Sequence, residues 1–115
     1  MNILKSLFGS SSNSLTIEEA KERIENGQAL VILDVRQPDE YRAGHIAGAK
    51  LVPLSELSGR MEELPKDKQI LCVCASGARS SAATGQLSSA GFDVLNMRGG
   101  MSGWQRAGYP VKKGK

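Results

Sequence analysis

A cysteine at the end of an apolar run is the residue of this chain best placed to do chemistry. Residues 69–73 read QILCV, and the residues that follow are Cys74, Ala75, Ser76, Gly77, Ala78, Arg79 and Ser80. Small residues let a chain curl tightly, and successive backbone N–H groups in such a curl can converge on one point and hold an anion. A thiol beside such a loop and the start of a helix has a lowered pKa. The spacing therefore predicts a thiolate nucleophile in a loop that binds anions.

A structural role is the alternative for this cysteine, because free cysteine is among the most buried residue types. Taken alone, a cysteine that ends a strand fits both interpretations equally well. Gly77 follows three residues on and Arg79 five residues on, and a helical pattern begins just beyond Cys74. These three features together favour a functional site.

The elements that must position this loop alternate along the chain. Apolar runs predict strands at residues 29–35, 51–54, 69–73 and 92–97. Thr16 and Glu19 form a capping box, which predicts a helix from Thr16 to about residue 26. Further helices are predicted at residues 55–64 and 79–91. Residues 37–50 form a turn-rich connection, and a glycine-rich loop leads into a short helix at residues 98–108. This order predicts an α/β fold with a central, mainly parallel sheet and helices on both of its faces.

Two charged residues end the strand that neighbours the cysteine strand in this arrangement. In parallel sheets, sites form at the carboxyl ends of strands. Asp34 and Arg36 lie at the end of the strand at residues 29–35, so we expect them to line the mouth of the site, with Arg36 a candidate for contact with an anion. Structural pairing of the two is an equally good explanation.

Length and charge restrict the classes of protein that this chain can represent. Its 115 residues suit one domain, at residues 15–110, with a short extension at residues 1–14 and a basic tail at residues 111–115. The net charge of +3 is explained by three lysines in the tail. Neither a basic stripe nor stacking aromatic residues accompany it, so we predict no nucleic-acid partner. Residues 10–14 are predicted to form a flexible joint.

Location and redox state follow from what the pattern lacks. No apolar run approaches the roughly 18 residues typical of a membrane span, and the N-terminus does not resemble a signal peptide. Cys72 and Cys74 would be about 6.6 Å apart in a strand, near the limit for a disulfide, so we expect two free thiols. Free thiols are typical of a reducing compartment, so we expect a cytoplasmic location. We also expect the protein to be a monomer.

Three motifs in order resemble the rhodanese family. CASGARS (74–80) resembles its active-site loop C-x-x-G-x-R-S, LDVRQPDEYRAGHIAGAK (33–50) resembles its D-x-R … G-H-I-x-G-A stretch, and MRGGMSGW (97–104) resembles its G-G … W segment. The resemblance covers about residues 15 to 110. It implies a rhodanese-like α/β fold and the activity of a single-domain sulfurtransferase of the thiosulfate sulfurtransferase type.

The resemblance also implies roles for individual residues. Cys74 would take a sulfane sulfur from a donor such as thiosulfate and carry it as a persulfide to cyanide or to a thiol such as thioredoxin or glutathione. No metal or organic cofactor is required. Substrate contacts would come from Ala75, Ser76, Gly77, Ala78 and Arg79, mainly through the backbone, and Arg79 would either bind the donor or hold the loop.

Four other residues are assigned to structure. Ser80 is interpreted as a residue of the helix start rather than as a catalytic hydroxyl. His45, the only histidine, would shape its connection. Trp104 would pack the last helix onto the core, and Cys72 would be an inert core thiol.

Two other functions fit parts of the pattern. Cysteine-dependent phosphatases and arsenate reductases on the same fold also use a thiolate in a ring of N–H groups, but their loops typically place five residues between cysteine and arginine, and here only four intervene. A partner-binding regulatory module is the second alternative, since some rhodanese-like domains lack the cysteine and only bind partners. This chain has the cysteine, which favours the enzyme.

Overall fold

A five-stranded sheet forms the centre of the computed structural model, which describes residues 13–115. Its strands are β1 (Ser14–Leu15), β2 (Leu30–Asp34), β3 (Lys50–Leu51), β4 (Gln69–Val73) and β5 (Val94–Met97). Their order is β1-β5-β4-β2-β3, and all neighbours pair in parallel. The predictions made for residues 1–12 lie outside the described range.

Helices cover both faces of this sheet. They are α1 (Ile17–Glu25), α2 (Pro38–Ala43), α3 (Ala78–Ser89) and α4 (Gly100–Arg106). Alternate residues of a strand point to opposite faces: Ile70 and Cys72 of β4 pack in the core beneath α3, and Leu71 and Val73 pack in the core beneath α1 and α4. The predicted α/β class, with a parallel sheet between two helical layers, is confirmed.

The start of α1 agrees with its sequence signal. The Thr16 hydroxyl accepts a hydrogen bond from the Glu19 amide at 3.0 Å, and the Glu19 carboxylate accepts one from the Thr16 amide at 2.9 Å. This reciprocal pair satisfies two amides that the first helical turn would otherwise leave without partners. Among the described residues, no helix is long and apolar enough to cross a membrane.

The segment after β3 corrects two predictions. Residues 55–64 do not form an α-helix but two short 3₁₀ helices, Leu54–Gly59 and Met61–Glu63, separated by Arg60 at φ −128°. Gly59 weakens the α-helix at this point, since glycine costs about 1 kcal/mol relative to alanine in a helix interior. The predicted strand at 51–54 is reduced to Lys50–Leu51, because Pro53 has no N–H with which to continue a ladder.

Both ends of the described chain are attached to the domain. Ser14, which the sequence placed in a flexible joint, belongs to β1 and pairs with Asn96. The basic tail is bonded as well: the backbones of His45 and Lys112 exchange hydrogen bonds of 2.9 and 2.8 Å, and the Gly114 amide donates to the Arg42 carbonyl at 2.9 Å. These contacts fix the segment after α4 against the connection that carries α2.

Candidate active site

The candidate site begins where β4 ends. Cys74 directly follows β4 and is fully buried. The Gly77 amide donates a hydrogen bond to its sulfur, with 3.1 Å between N and Sγ. Gly77 has φ +107°, a conformation that glycine adopts far more readily than other residues. Three residues after Cys74, the chain has therefore turned its backbone back onto the sulfur.

Helix α3 starts immediately after this turn, with Gly77 as its N-cap. The N-terminus of a helix carries partial positive charge and favours an anion. Burial by itself raises the pKa of the Cys74 thiol, but hydrogen bonds from the Ser80 hydroxyl and from nearby backbone N–H groups outweigh burial and leave the pKa lowered. Those amides belong to Ser80, Gly77 and Ser76. The arrangement stabilises a thiolate.

Helix α4 holds the other side of the loop. The Met101 amide donates to the Cys74 carbonyl at 2.7 Å, and the Ser102 amide donates to the Ala75 carbonyl at 2.9 Å. The C=O and N–H of a trans peptide point in opposite directions. The contact of α4 with the Ala75 carbonyl therefore directs the Ser76 amide, which belongs to the same peptide, towards the sulfur.

Close approach of the two segments depends on Gly100. A Cβ atom there would lie 2.5 Å from the carbonyl oxygens of both Cys74 and Ala75, and Gly100 has φ +58°. Both the space and the backbone conformation therefore require glycine at this position. This requirement gives a physical role to the second glycine of the motif at residues 97–104.

Arg79 is engaged in an ion pair with α2. Its two terminal nitrogens donate to the two carboxylate oxygens of Glu40, each at 2.8 Å. The hydrogen bonds from Arg79 lower the pKa of the Glu40 carboxyl to about 2. The bidentate pair joins the start of α3 to α2 and thereby fixes the loop. Contact of Arg79 with a donor stays a prediction.

Asp34 and Arg36 form an ion pair with each other. The Arg36 Nε and Nη2 atoms donate to the two Asp34 carboxylate oxygens at 2.9 and 2.8 Å, and Nη2 also donates to the Gly44 carbonyl at 2.8 Å. Both side chains are buried, with Arg36 only 5% exposed. These bonds tie the end of β2 to the end of α2, and contact of the two residues with substrate stays a prediction.

The residues assigned to structure occupy structural positions. His45 is buried, stacks on Tyr41 at 3.6 Å between ring centroids, and its Nδ1 lies 2.8 Å from the Tyr41 carbonyl, to which it donates. Trp104 is 2% exposed, and its indole N–H donates to the Pro110 carbonyl at 2.8 Å. Cys72 is buried and free, and burial raises the pKa of its thiol to about 12.

Two side chains to which the sequence assigned no part in the chemistry complete the site. Ser80, interpreted only as a residue of the helix start, places its hydroxyl where it acts on the Cys74 sulfur. Asn96 of β5 accepts a hydrogen bond from that hydroxyl. The sequence could have indicated Ser80, because it is the last residue of the motif at 74–80. Asn96 carries no local signal, because only the sheet brings it to α3.

In residues 13–115, no cluster of three or more His, Cys, Asp or Glu side chains could hold a metal ion.

Fold and loop together define a class of α/β domains that present a buried thiol within a ring of backbone donors. Comparison with known proteins agrees. The profile described as "Rhodanese-like domain" matches residues 16–107. The chain therefore belongs to the rhodanese-like domain family, as its three motifs indicate.

Individual relatives support the same assignment. The chain is 36% identical over 100 residues to a protein of Allochromatium vinosum named "Sulfurtransferase", covering 86% of this chain and 94% of that protein. A rhodanese-related protein from Thermoplasma volcanium is similar in structure, with a TM-score of 0.82 and 37% identity over 87% of this chain and 97% of that one. A thiosulfate sulfurtransferase from Pseudomonas aeruginosa has a TM-score of 0.82 and 32% identity over 99% of this chain, which spans 22% of that protein. Several other curated relatives are longer proteins, of which this chain spans about half or less.

Proposed function

We propose that this protein is a sulfurtransferase in which Cys74 carries a sulfane sulfur as a persulfide. The observation that supports this most directly is the contact of the Gly77 amide with the Cys74 sulfur at 3.1 Å. A thiolate held by backbone donors is both nucleophilic and surrounded by groups that stabilise negative charge. Family membership and the names of the relatives agree with this chemistry.

The reaction proceeds by two displacements. The Cys74 thiolate attacks the outer sulfur of a thiosulfate-like donor, a new S–S bond forms, and the donor S–S bond breaks so that its electron pair leaves with sulfite. A thiolate acceptor then attacks the outer sulfur of the Cys74 persulfide. The acceptor leaves as a persulfide, and the Cys74 thiolate is regenerated. Such covalent catalysis predicts ping-pong kinetics.

The chain contributes donors that need not rearrange during these steps. The amides of Ser76 and Gly77 face the sulfur on which negative charge appears at the start and the end of the cycle, and the Ser80 hydroxyl lies beside them. Their positions are fixed by α4 on one side and by the Arg79–Glu40 pair on the other. Preorganised donors of this kind stabilise developing charge without a cost at the moment of reaction.

The donor and acceptor are proposed by chemical class. A thiosulfate-like anion suits a site whose groups nearest the sulfur are N–H and O–H donors, and the relative from Pseudomonas aeruginosa bears that substrate in its name. A low-molecular-weight or protein thiol, such as glutathione or thioredoxin, is the proposed acceptor. We further propose that the protein acts as a monomer in the cytoplasm, where such thiols are reduced.

The mass of the intact protein after incubation with thiosulfate tests the proposal. We expect a gain of one sulfur atom, which glutathione or cyanide then removes. Protein whose Cys74 has first been blocked with iodoacetamide is the matched control and should gain nothing. Hydrolysis of an aryl phosphate, assayed in parallel, should be absent. No gain of sulfur from thiosulfate, or an equal gain in the blocked protein, would overturn the proposal.

A further inference from the structure

Asn96 contacts the candidate site through its side chain. It lies on β5, half-buried, and its side-chain carbonyl accepts a hydrogen bond from the Ser80 hydroxyl. Its amide nitrogen lies 3.5 Å from the Gly77 carbonyl oxygen. Asn96 therefore contacts both the residue whose hydroxyl acts on the sulfur and the residue whose amide bonds the sulfur. The mechanism above assigns no role to it.

The Ser80 hydroxyl has a single proton to donate. Three acceptors lie around it: the side-chain carbonyl of Asn96, the Gly77 carbonyl at 3.2 Å, and the Cys74 sulfur, which lies 3.1 Å from the amide nitrogen of the same Gly77. The Gly77 carbonyl already accepts from the Ser81 amide at 3.0 Å. The effective competition for the proton is therefore between Asn96 and the sulfur.

The orientation of the Asn96 amide decides which role it plays. With its nitrogen towards the Gly77 carbonyl, its oxygen faces Ser80. The reverse orientation would place two carbonyl oxygens against each other at 3.5 Å, where neither could donate. Asn96 therefore meets Ser80 as an acceptor and not as a donor.

We propose that Asn96 is a positioning residue that draws the hydroxyl proton of Ser80 away from the sulfur of Cys74. The proposal deepens the proposed function, because a sulfur stripped of one hydrogen bond is a stronger nucleophile. Nucleophilicity of thiolates falls as their pKa falls, and the best attacking thiol has a pKa near the ambient pH. Asn96 thus limits how far the loop stabilises the thiolate.

Charged and titratable groups near the sulfur stay the same when Asn96 is changed. They lie on five neighbouring elements or their ends: Arg79 on α3 with Glu40 on α2, Asp34 and Arg36 at the end of β2, Cys72 on β4, and Arg98, which is beside Asn96, after β5. A shift in the titration of Cys74 on substitution of the neutral Asn96 therefore reports the hydrogen bond and not an altered charge.

The test is the pH dependence of Cys74 alkylation by iodoacetamide, followed by intact mass. We expect Asn96→Ala and Asn96→Leu each to lower the midpoint by about half a unit to one unit, because the Ser80 proton turns to the sulfur. In a Ser80→Ala background the same substitutions should leave the midpoint unchanged. Ser88→Ala is the matched control and should not move the midpoint, because Ser88 lines the same surface groove between α3 and β5 as Asn96 but lies about two helical turns away from Ser80.

Two results would overturn the proposal. One is a raised or unchanged midpoint in both Asn96 variants, and the other is an equal shift with and without the Ser80 hydroxyl. The leucine variant keeps the branched shape of asparagine at Cγ and leaves no cavity, so it carries the test if the alanine variant does not fold. Alkylation requires no sulfur donor. Failure of sulfur transfer from thiosulfate and failure of this proposal are therefore separate outcomes.

Discussion

Cys72 and Cys74 lie two residues apart, pack into the same core beneath α3, and are both fully buried. The pKa values of their thiols are nevertheless shifted in opposite directions. Burial raises the pKa of Cys72 to about 12, and only the hydroxyl of Thr84 opposes burial. At Cys74 burial also acts to raise the pKa, but one hydroxyl and three amides more than compensate. Burial alone does not decide which cysteine is reactive.

The difference arises at the end of the strand. Cys72 lies within β4, in register with Leu33 on one side and Asn96 on the other, where the sheet ladder occupies the backbone amides. Cys74 lies beyond the last residue of β4, where the following amides have no ladder to join and turn towards the sulfur instead. A displacement of two residues along the chain thus changes an inert thiol into a candidate nucleophile.

The largest effect that separates the two thiols is expected in catalysis. Cys74→Ser should abolish sulfur transfer from thiosulfate to cyanide, because serine is a far weaker nucleophile at neutral pH. Cys72→Ser should retain most of it, because Cys72 belongs to the core and not to the loop. Equal loss in two folded variants would show that Cys72 takes part in the transfer.

Substitution of Gly100 in α4 should make the pKa of Cys74 more like that of an ordinary buried thiol. Gly100→Ala places a Cβ 2.5 Å from the carbonyls of Cys74 and Ala75, which must move and carry the loop amides with them. We expect a loss of about 2–4 kcal/mol in the free energy of unfolding and a raised pKa of the Cys74 thiol.

Gly85→Ala is the matched control for this change. Gly85 lies within α3, and its added Cβ would meet no atom within 4 Å apart from the backbone of its own helix and its chain neighbours, so alanine should stabilise the protein by up to about 1 kcal/mol. Urea denaturation and alkylation against pH measure both effects. Wild-type stability in the Gly100 variant would contradict the role assigned to the close approach.

The two thiols should also differ in their reaction with iodoacetamide in the wild-type protein. Cys74 should be alkylated with a midpoint below about 8.5, the ordinary value for free cysteine, since its pKa is lowered. Cys72 should stay unmodified until the protein unfolds, since burial raises its pKa to about 12. Peptide mapping assigns the modified residue, and a Cys74 midpoint at or above 8.5 would contradict the role of the loop amides.

The smallest effect is expected at the edge of the loop. The pKa of Glu40 is about 2 in the folded protein against an ordinary value of 4.5, so the pair with Arg79 contributes stability above pH 4.5 that is lost as the pH falls towards 2. Glu40→Gln should remove that part of the acid dependence and cost less than about 1 kcal/mol near neutrality, since the pair is partly exposed. Identical acid unfolding of the variant and the wild type would show that the pair contributes nothing.

Local signals in the sequence were sufficient for much of the site. The apolar run of β4, the capping box of α1 and the small residues after Cys74 each act over a few residues, and the structure agrees with each of them. The bond between Arg79 and Glu40 spans 39 residues, and the bond between Ser80 and Asn96 spans 16. Such contacts depend on how strands and helices are placed, which single-residue patterns do not encode.

Very short elements were missed for a related reason. Strand β1 has two residues, too few for any alternation of apolar and polar side chains to be visible. The 3₁₀ helices contain apolar residues at spacings that also fit an α-helix, so the pattern at residues 55–64 favoured the commoner structure.

The pairing of β1 with β5 has a consequence for synthesis of the protein. Ser14 pairs with Asn96, so β1 waits for a partner that is made about 80 residues later. At about 5–20 residues per second, that delay is roughly 4 to 16 seconds. Cys74 is translated well before Asn96 and before α4, so the new thiol spends part of this interval without the groups that later surround it. The edge of the sheet and the surroundings of the sulfur are completed together, only after β5 and α4 have been translated.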